Sequence, residues 1–254
     1  MIRPHRLKQK LETGGFATGP ILNFNAPWLV DLAGPIGFDF VMIDAEHGPL
    51  SPESAEAMIR AAEFVGLTPV VRVPANLPHE ILRYLDVGAS AIQVPHIDSA
   101  ADARRAVASI KYPPFGDRGH APTTRAAGYG IDQSPGDYVD LANRETMVLA
   151  MIESVAAVDN VDEILEVDGI DALIMGPGDL SLSMGHRGVR DAPEVERAVD
   201  HVISRAKRYG VPVSMPAASA DAIRACHARG AHMVFFALTA WLVQSCRKTL
   251  ADAR

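Results

Sequence analysis

Short apolar, β-branched runs alternate along this chain with longer amphipathic stretches, and Gly, Pro and Asp punctuate the joins. Strands covered by helices on both faces read as continuous apolar runs, so the alternation predicts βαβ units feeding a parallel sheet. Eight runs fit, at residues 19–24, 38–44, 69–73, 91–94, 148–152, 172–175, 212–215 and 233–237. Helical patterns fill the gaps, among them 52–65 and 192–209, each with a Pro near its start and Gly66 or Gly210 just past its end. Eight such repeats predict a single-domain (β/α)8 barrel. An open doubly wound sheet is the alternative, but it would place a Gly-rich phosphate loop after the first strand, whereas Gly14-Gly15 precedes it. The stretch 112–136, rich in Gly, Pro, Arg and Thr, is long for a connection inside a compact domain and is expected to be an active-site loop.

Composition narrows the partners. A chain of 254 residues that is 48% hydrophobic can bury one full core. Its net charge of -7 and pI near 5.7 offer no footprint for nucleic acid or a membrane surface, which leaves a small molecule. Two cysteines, Cys226 and Cys246, form no CxxC pair, as expected in a reducing compartment. The first ten residues are basic without an apolar leader core, and no apolar run reaches the length of a membrane span, so a cytoplasmic protein is expected.

Barrel enzymes carry their chemistry at the C-terminal ends of strands, so the polar residues that close the apolar runs are the candidates. Glu153 and Asp179 follow the fifth and sixth runs; converging there, two carboxylates would suit Mg2+, Mn2+ or Co2+ and leave coordination positions open for a bidentate 2-oxo acid. Equally, Glu153 can pair with an arginine and Asp179 can cap the helix that begins beside it. His47 lies three residues beyond Asp44, which could orient the imidazole as a general base; Glu46 competes for that task, and a turn histidine bonded to backbone is the plainer alternative. Arg72 stands within an apolar strand and needs an anionic partner, either a structural carboxylate or an enolate oxygen. Gly176-Pro177-Gly178 allows close backbone approach to a substrate carboxylate, and a simple turn explains it as well.

The segments Gly37-Phe38-Asp39-Phe40-Val41-Met42-Ile43-Asp44-Ala45-Glu46-His47-Gly48, Tyr112-Pro113-Pro114-Phe115-Gly116-Asp117-Arg118-Gly119 and Gly176-Pro177-Gly178-Asp179-Leu180-Ser181 together resemble the signature blocks of the HpcH/HpaI aldolase family. Val71-Arg72-Val73-Pro74, Leu85-Asp86-Val87-Gly88-Ala89 and Met151-Ile152-Glu153 extend the likeness over nearly the whole chain. The resemblance implies a metal-dependent pyruvate aldolase that cleaves a 4-hydroxy-2-oxo acid to pyruvate and an aldehyde, or runs the reverse addition. It further implies Glu153 and Asp179 as metal ligands, His47 as base with Asp44 as its partner, and Arg72 on the keto or enolate oxygen. No Schiff-base lysine is then needed, and no Lys closes any of the eight runs. A homo-oligomer, trimer or hexamer, is also implied, with the C-terminal helix around 240–254 exchanged between subunits and Asp86 approaching a neighbour's site.

Three departures bear on substrate scope. Met151 stands where many relatives have a substrate-holding Gln, Phe235-Phe236-Ala237-Leu238-Thr239 replaces a small Gly- and Asp-containing segment, and His120 stands where a small apolar residue is usual. Two other functions compete with the aldolase. One is an acyl-CoA lyase of the citramalyl or malyl-CoA type, which would want basic groups such as Arg118 and Arg125 near the barrel mouth. The other is a non-catalytic binding barrel, since fold alone does not fix function.

Overall fold

The computed structural model describes residues 2–131 and 133–253. Eight parallel strands close in sequence order into a barrel, each hydrogen-bonded to its chain neighbours, with the last paired to the first. They are β1 (Ala17–Leu22), β2 (Phe40–Asp44), β3 (Thr68–Arg72), β4 (Ala91–Val94), β5 (Met147–Ile152), β6 (Ala172–Met175), β7 (Val213–Pro216) and β8 (Met233–Ala237). The helices that precede β5 are α1 (Arg6–Glu12), α2 (Pro27–Ile36), α3 (Pro52–Phe64), α4 (Pro78–Asp86), α5 (Ala100–Ile110) and α6 (Pro135–Glu145). After it come α7 (Val155–Asp159), α8 (Val161–Leu165), α9 (Pro177–Ser183), α10 (Pro193–Tyr209), α11 (Ala220–Ala228) and α12 (Leu238–Asp252).

Local chemistry explains the helices. In α3 the Ser51 hydroxyl accepts the Ser54 N–H, Pro52 opens the first turn, and Ala55, Met58, Ile59 and Ala62 form one buried stripe. In α10, Glu194 and Glu196 sit in the first turn and Lys207 and Arg208 in the last, matching the helix dipole, and Gly210 ends the helix at φ 70°.

Strand alternation separates two cores. Phe40, Met42, Val70, Leu149, Met151, Ile174 and Met233 fill the barrel, whereas Val41, Ile43, Val71, Ile92, Val148 and Leu173 face outward under the helices. Helix α1 closes the N-terminal end, with Leu7 and Leu11 joining the interior cluster and the Leu7 N–H donating to Thr68 Oγ1 at 3.1 Å. The second strand begins at Phe40, two residues later than its apolar run, because Asp39 turns aside to accept from Thr18 N at 2.9 Å and Lys10 Nζ at 2.7 Å.

The long segment before α6 differs from expectation. It connects a helix to the next strand, which in this architecture places it at the N-terminal end, and none of its described residues lines the mouth cavity of its own chain. Tyr112, Ala126 and Ala127 pack with Tyr138 and Ile2 into a small core of their own. Arg118 is buried, pairs with Asp86 at 3.1 Å and packs over the Tyr112 ring; Arg125 binds Glu63 and the Val87 carbonyl. Neither arginine presents a basic surface at the mouth.

Among the described residues no helix is long and apolar enough to cross a membrane. Cys226 is buried and Cys246 exposed, and neither forms a disulfide. Helix α12 buries none of its residues within the chain and exposes Leu242, Val243 and Leu250.

Candidate active site

The C-terminal ends of the strands surround a cavity of about 600 Å³ whose lining includes Asp44, His47, Arg72, Gly176, Pro177, Gly178 and Asp179. Strand register makes the first contacts. Asp44 is level with Arg72 across β2 and β3, and Arg72 is level with Gln93 on β4. The Arg72 guanidinium grips Asp44 with both arms, Nε to Oδ1 at 2.8 Å and Nη2 to Oδ2 at 2.6 Å, and Nη1 lies 3.3 Å from Glu46 Oε2. Burial opposes this cation, but the hydrogen bonds and charge of Asp44, with the charges of Glu46 and Glu153, outweigh it and raise its pKa above the ordinary arginine value.

Asp44 therefore does not hold the His47 ring. Its Oδ1 accepts the backbone N–H groups of Glu46 at 3.3 Å and His47 at 3.2 Å, fixing the turn rather than the imidazole. The His47 side chain is 59% exposed, and Nε2 lies 3.8 Å from Glu46 Oε2. The carboxylate that can orient the ring is Glu46, whose proton affinity is raised by burial and by Glu153, with Arg72 working the other way.

Glu153, 3% exposed, follows β5 directly. Its Oε1 accepts the His96 N–H at 2.9 Å and lies 3.3 Å from His96 Nδ1, while Oε2 has no hydrogen-bond donor among the described residues. Burial raises its pKa first, the His96 contacts oppose the rise, and the charge of Asp179 adds to it. Gly176 makes this approach possible: a Cβ there would stand 2.7 Å from Glu153 Cβ and 3.1 Å from Oε2. Asp44, Glu46 and Glu153 thus share the Arg72 guanidinium, and Asp179 adds its charge beside Glu153. Among the described residues no three His, Cys, Asp or Glu side chains form a cage for an ion. Glu153 and Asp179 are a pair, and the free Oε2, the uncompensated negative charge and the oxygen-only donors fit a hard divalent cation with open positions.

Sequence reasoning missed three residues here. His96, at φ 54°, bridges Glu153 and, at 3.8 Å, Glu46; it follows the short run of β4 and was legible by the strand-end rule used elsewhere. Gln93, 1% exposed, donates from Nε2 to Met151 Sδ at 3.1 Å and leaves Oε1 without a hydrogen-bond partner among the described residues, so an amide does reach the Met151 position, from the neighbouring strand. Arg190 lies over Gly178, with Nε and Nη2 3.5 Å from where a Cβ would stand.

A parallel eight-stranded barrel with carboxylates and an arginine at its C-terminal mouth is a class that hosts many reactions. Sequence comparison narrows it: the HpcH/HpaI aldolase/citrate lyase family matches residues 21–245, and the chain belongs to that family. It is 37% identical over 224 residues to a 5-keto-4-deoxy-D-glucarate aldolase of Enterobacter sp. (strain 638), covering 88% of this chain and 86% of the relative. It is 33% identical over 241 residues to a hydroxypyruvate/pyruvate aldolase of Sagittula stellata, covering 95% and 94%. A crystal structure of an HpcH/HpaI aldolase/citrate lyase family protein from Burkholderia cenocepacia J2315 superposes with a TM-score of 0.93 at 34% identity, over 98% of both chains.

Proposed function

We propose that this chain is a divalent-metal-dependent pyruvate aldolase, a carbon-carbon lyase that splits a 4-hydroxy-2-oxo acid into pyruvate and an aldehyde or joins them. The observation that carries the reading is the Glu153–Asp179 pair beside Arg72 at the barrel mouth. The aldolase relatives support the same reaction class.

Glu153 and Asp179 would hold Mg2+, Mn2+ or Co2+, which supplies Lewis-acid polarisation of the ketone when bound. Arg72, held rigid by Asp44, aims its guanidinium into the cavity where the 2-oxo oxygen becomes an enolate oxygen, a preorganised donor at developing charge. His47, exposed on the same turn, exchanges the proton at C3, and Asp44 acts as its positioning residue through the turn backbone. The backbone at Gly176, Pro177 and Gly178 receives the substrate carboxylate, with Arg190 beside it. The test is deuterium exchange at C3 of pyruvate in D2O. Exchange that disappears with EDTA and returns with Mn2+ is the expected result; no exchange from metal-replete protein overturns the reading.

The exposed apolar residues of α12 support a homo-oligomer in which this helix packs on, or exchanges with, a second copy. Solution mass above that of one chain, lost on removing residues 240–254, is the expected outcome. The unpaired cysteines suit a reducing, cytoplasmic setting.

A further inference from the structure

The ionisable groups of the mouth occupy one arc of the barrel. Asp44, Arg72, Glu153 and Asp179 follow β2, β3, β5 and β6, whereas the remaining arc, β7, β8 and β1, lines the cavity with Pro216, Phe235, Ile21 and the neutral Asn23. Trp241, in the first turn of α12, completes this second wall. It is fixed twice: its ring stacks on Phe236 at 4.1 Å and 8°, and Nε1–H donates to the Ala218 carbonyl at 3.0 Å. Phe236 is itself 1% exposed and packs on Phe38, so the stack rests on the protein core. The result is a preformed apolar surface across the cavity from the charges.

We propose that the carbonyl acceptor carries an apolar, flat substituent, of which an aromatic ring is the best fit, and that Phe235 and Trp241 determine this specificity. The inference rests on the pyruvate-aldolase reading. Pyruvate's carboxylate and keto oxygen belong on the charged arc, which turns C3 toward the opposite wall, and about 600 Å³ leaves ample room beyond a three-carbon acid. In the addition, C3–H gives its proton to a base and C3 bonds to the aldehyde carbonyl carbon. The carbonyl π pair becomes an alkoxide that takes up a proton, so the product is a 4-hydroxy-2-oxo acid and nothing is oxidised or reduced. A polyhydroxylated acceptor would exchange water for the Phe235 and Trp241 rings on a wall whose polar side chains are the neutral Asn23, Thr239 and Gln244, whereas a ring gains contact area and stacking.

The experiment first measures C3 exchange, then kcat/KM for adding pyruvate to acetaldehyde, glycolaldehyde, phenylacetaldehyde and benzaldehyde. Wild type is expected to prefer phenylacetaldehyde to acetaldehyde by at least about tenfold and to disfavour glycolaldehyde. Trp241→Ala and Phe235→Ala each lower the benzaldehyde-to-glycolaldehyde ratio about tenfold or more, and Trp241→Phe restores most of it. Exchange without that preference in wild type overturns the apolar wall as the acceptor site and leaves the aldolase intact. Exchange with the preference but an unchanged ratio in both Ala variants overturns the two residues as its determinants. Absence of exchange overturns the aldolase and this inference together.

Discussion

The two ends of the barrel use the same strands to opposite effect. At the floor, Leu7 and Leu11 close the interior, His5 Nε2 lies 2.9 Å from the Glu145 carbonyl, and Lys111 donates to the carbonyls of Asn143 and Thr146 at 2.8 and 2.5 Å. At the mouth, Gln93 Oε1 and Glu46 Oε2 are buried without hydrogen bonds among the described residues, although Arg72 Nη1 lies 3.3 Å from the latter, and Glu46 and Glu153 are pushed toward their protonated forms. Burial also pushes His5 and Lys111 at the floor toward their neutral forms, but there the groups are hydrogen-bonded to carbonyls, whereas the mouth gathers carboxylates of like charge on neighbouring strand ends. Under the proposed aldolase reading, a site that attracts a cation and stabilises an enolate keeps an excess of carboxylates at some cost to stability.

The sharpest break of that comparison is Glu153→Gln. It should abolish metal-dependent C3 exchange by at least about 10³-fold, about 4 kcal/mol. In metal-free protein it should nevertheless raise Tm, because a charge leaves the buried Glu153 carboxylate, which stands beside the charges of Asp179 and Glu46; each kcal/mol relieved is worth about 2–4 °C in a chain of this size. A lower metal-free Tm, read by calorimetry, would contradict the assignment of strain to the mouth. Leu7→Ala is the converse at the floor: a loss of about 2–5 kcal/mol in denaturant unfolding, with exchange per folded molecule retained. His47→Ala should reduce exchange by about 10²-fold with Tm nearly unchanged, since its ring is exposed and makes few contacts. The smallest effect is expected for Gln93→Leu, within about 1 kcal/mol of wild type and on the stabilising side, because a buried unpaired acceptor is removed. A large destabilisation would mean that Gln93 has a partner, such as a buried water.

Much of this was legible in the chain. Each apolar run became a strand within two residues of its predicted limits, because a strand buried on both faces has little freedom in composition. The residues at 44, 72, 153 and 179 were found for a related reason: a charge closing an apolar run needs a purpose. Other features were hidden. The glycine- and proline-rich segment before α6 looked like an active-site loop, yet only the direction of the chain through the barrel says that a helix-to-strand connection emerges at the floor. The partner of Asp44 was also invisible, since His47 is nearer in sequence but Arg72 is level with it in the sheet.

What the sequence determined by itself was the repeat, the parallel barrel and the set of polar strand ends, because hydrophobic periodicity and strand-end placement are local properties of the chain. Only the tertiary structure decided that Arg72 takes Asp44, that Gly176 lets Glu153 approach, that Gln93 reaches Met151, and that charges and aromatic rings divide the mouth into two arcs. Those contacts join residues far apart along the chain, and they follow from strand register and barrel closure, which set distances that no local pattern encodes.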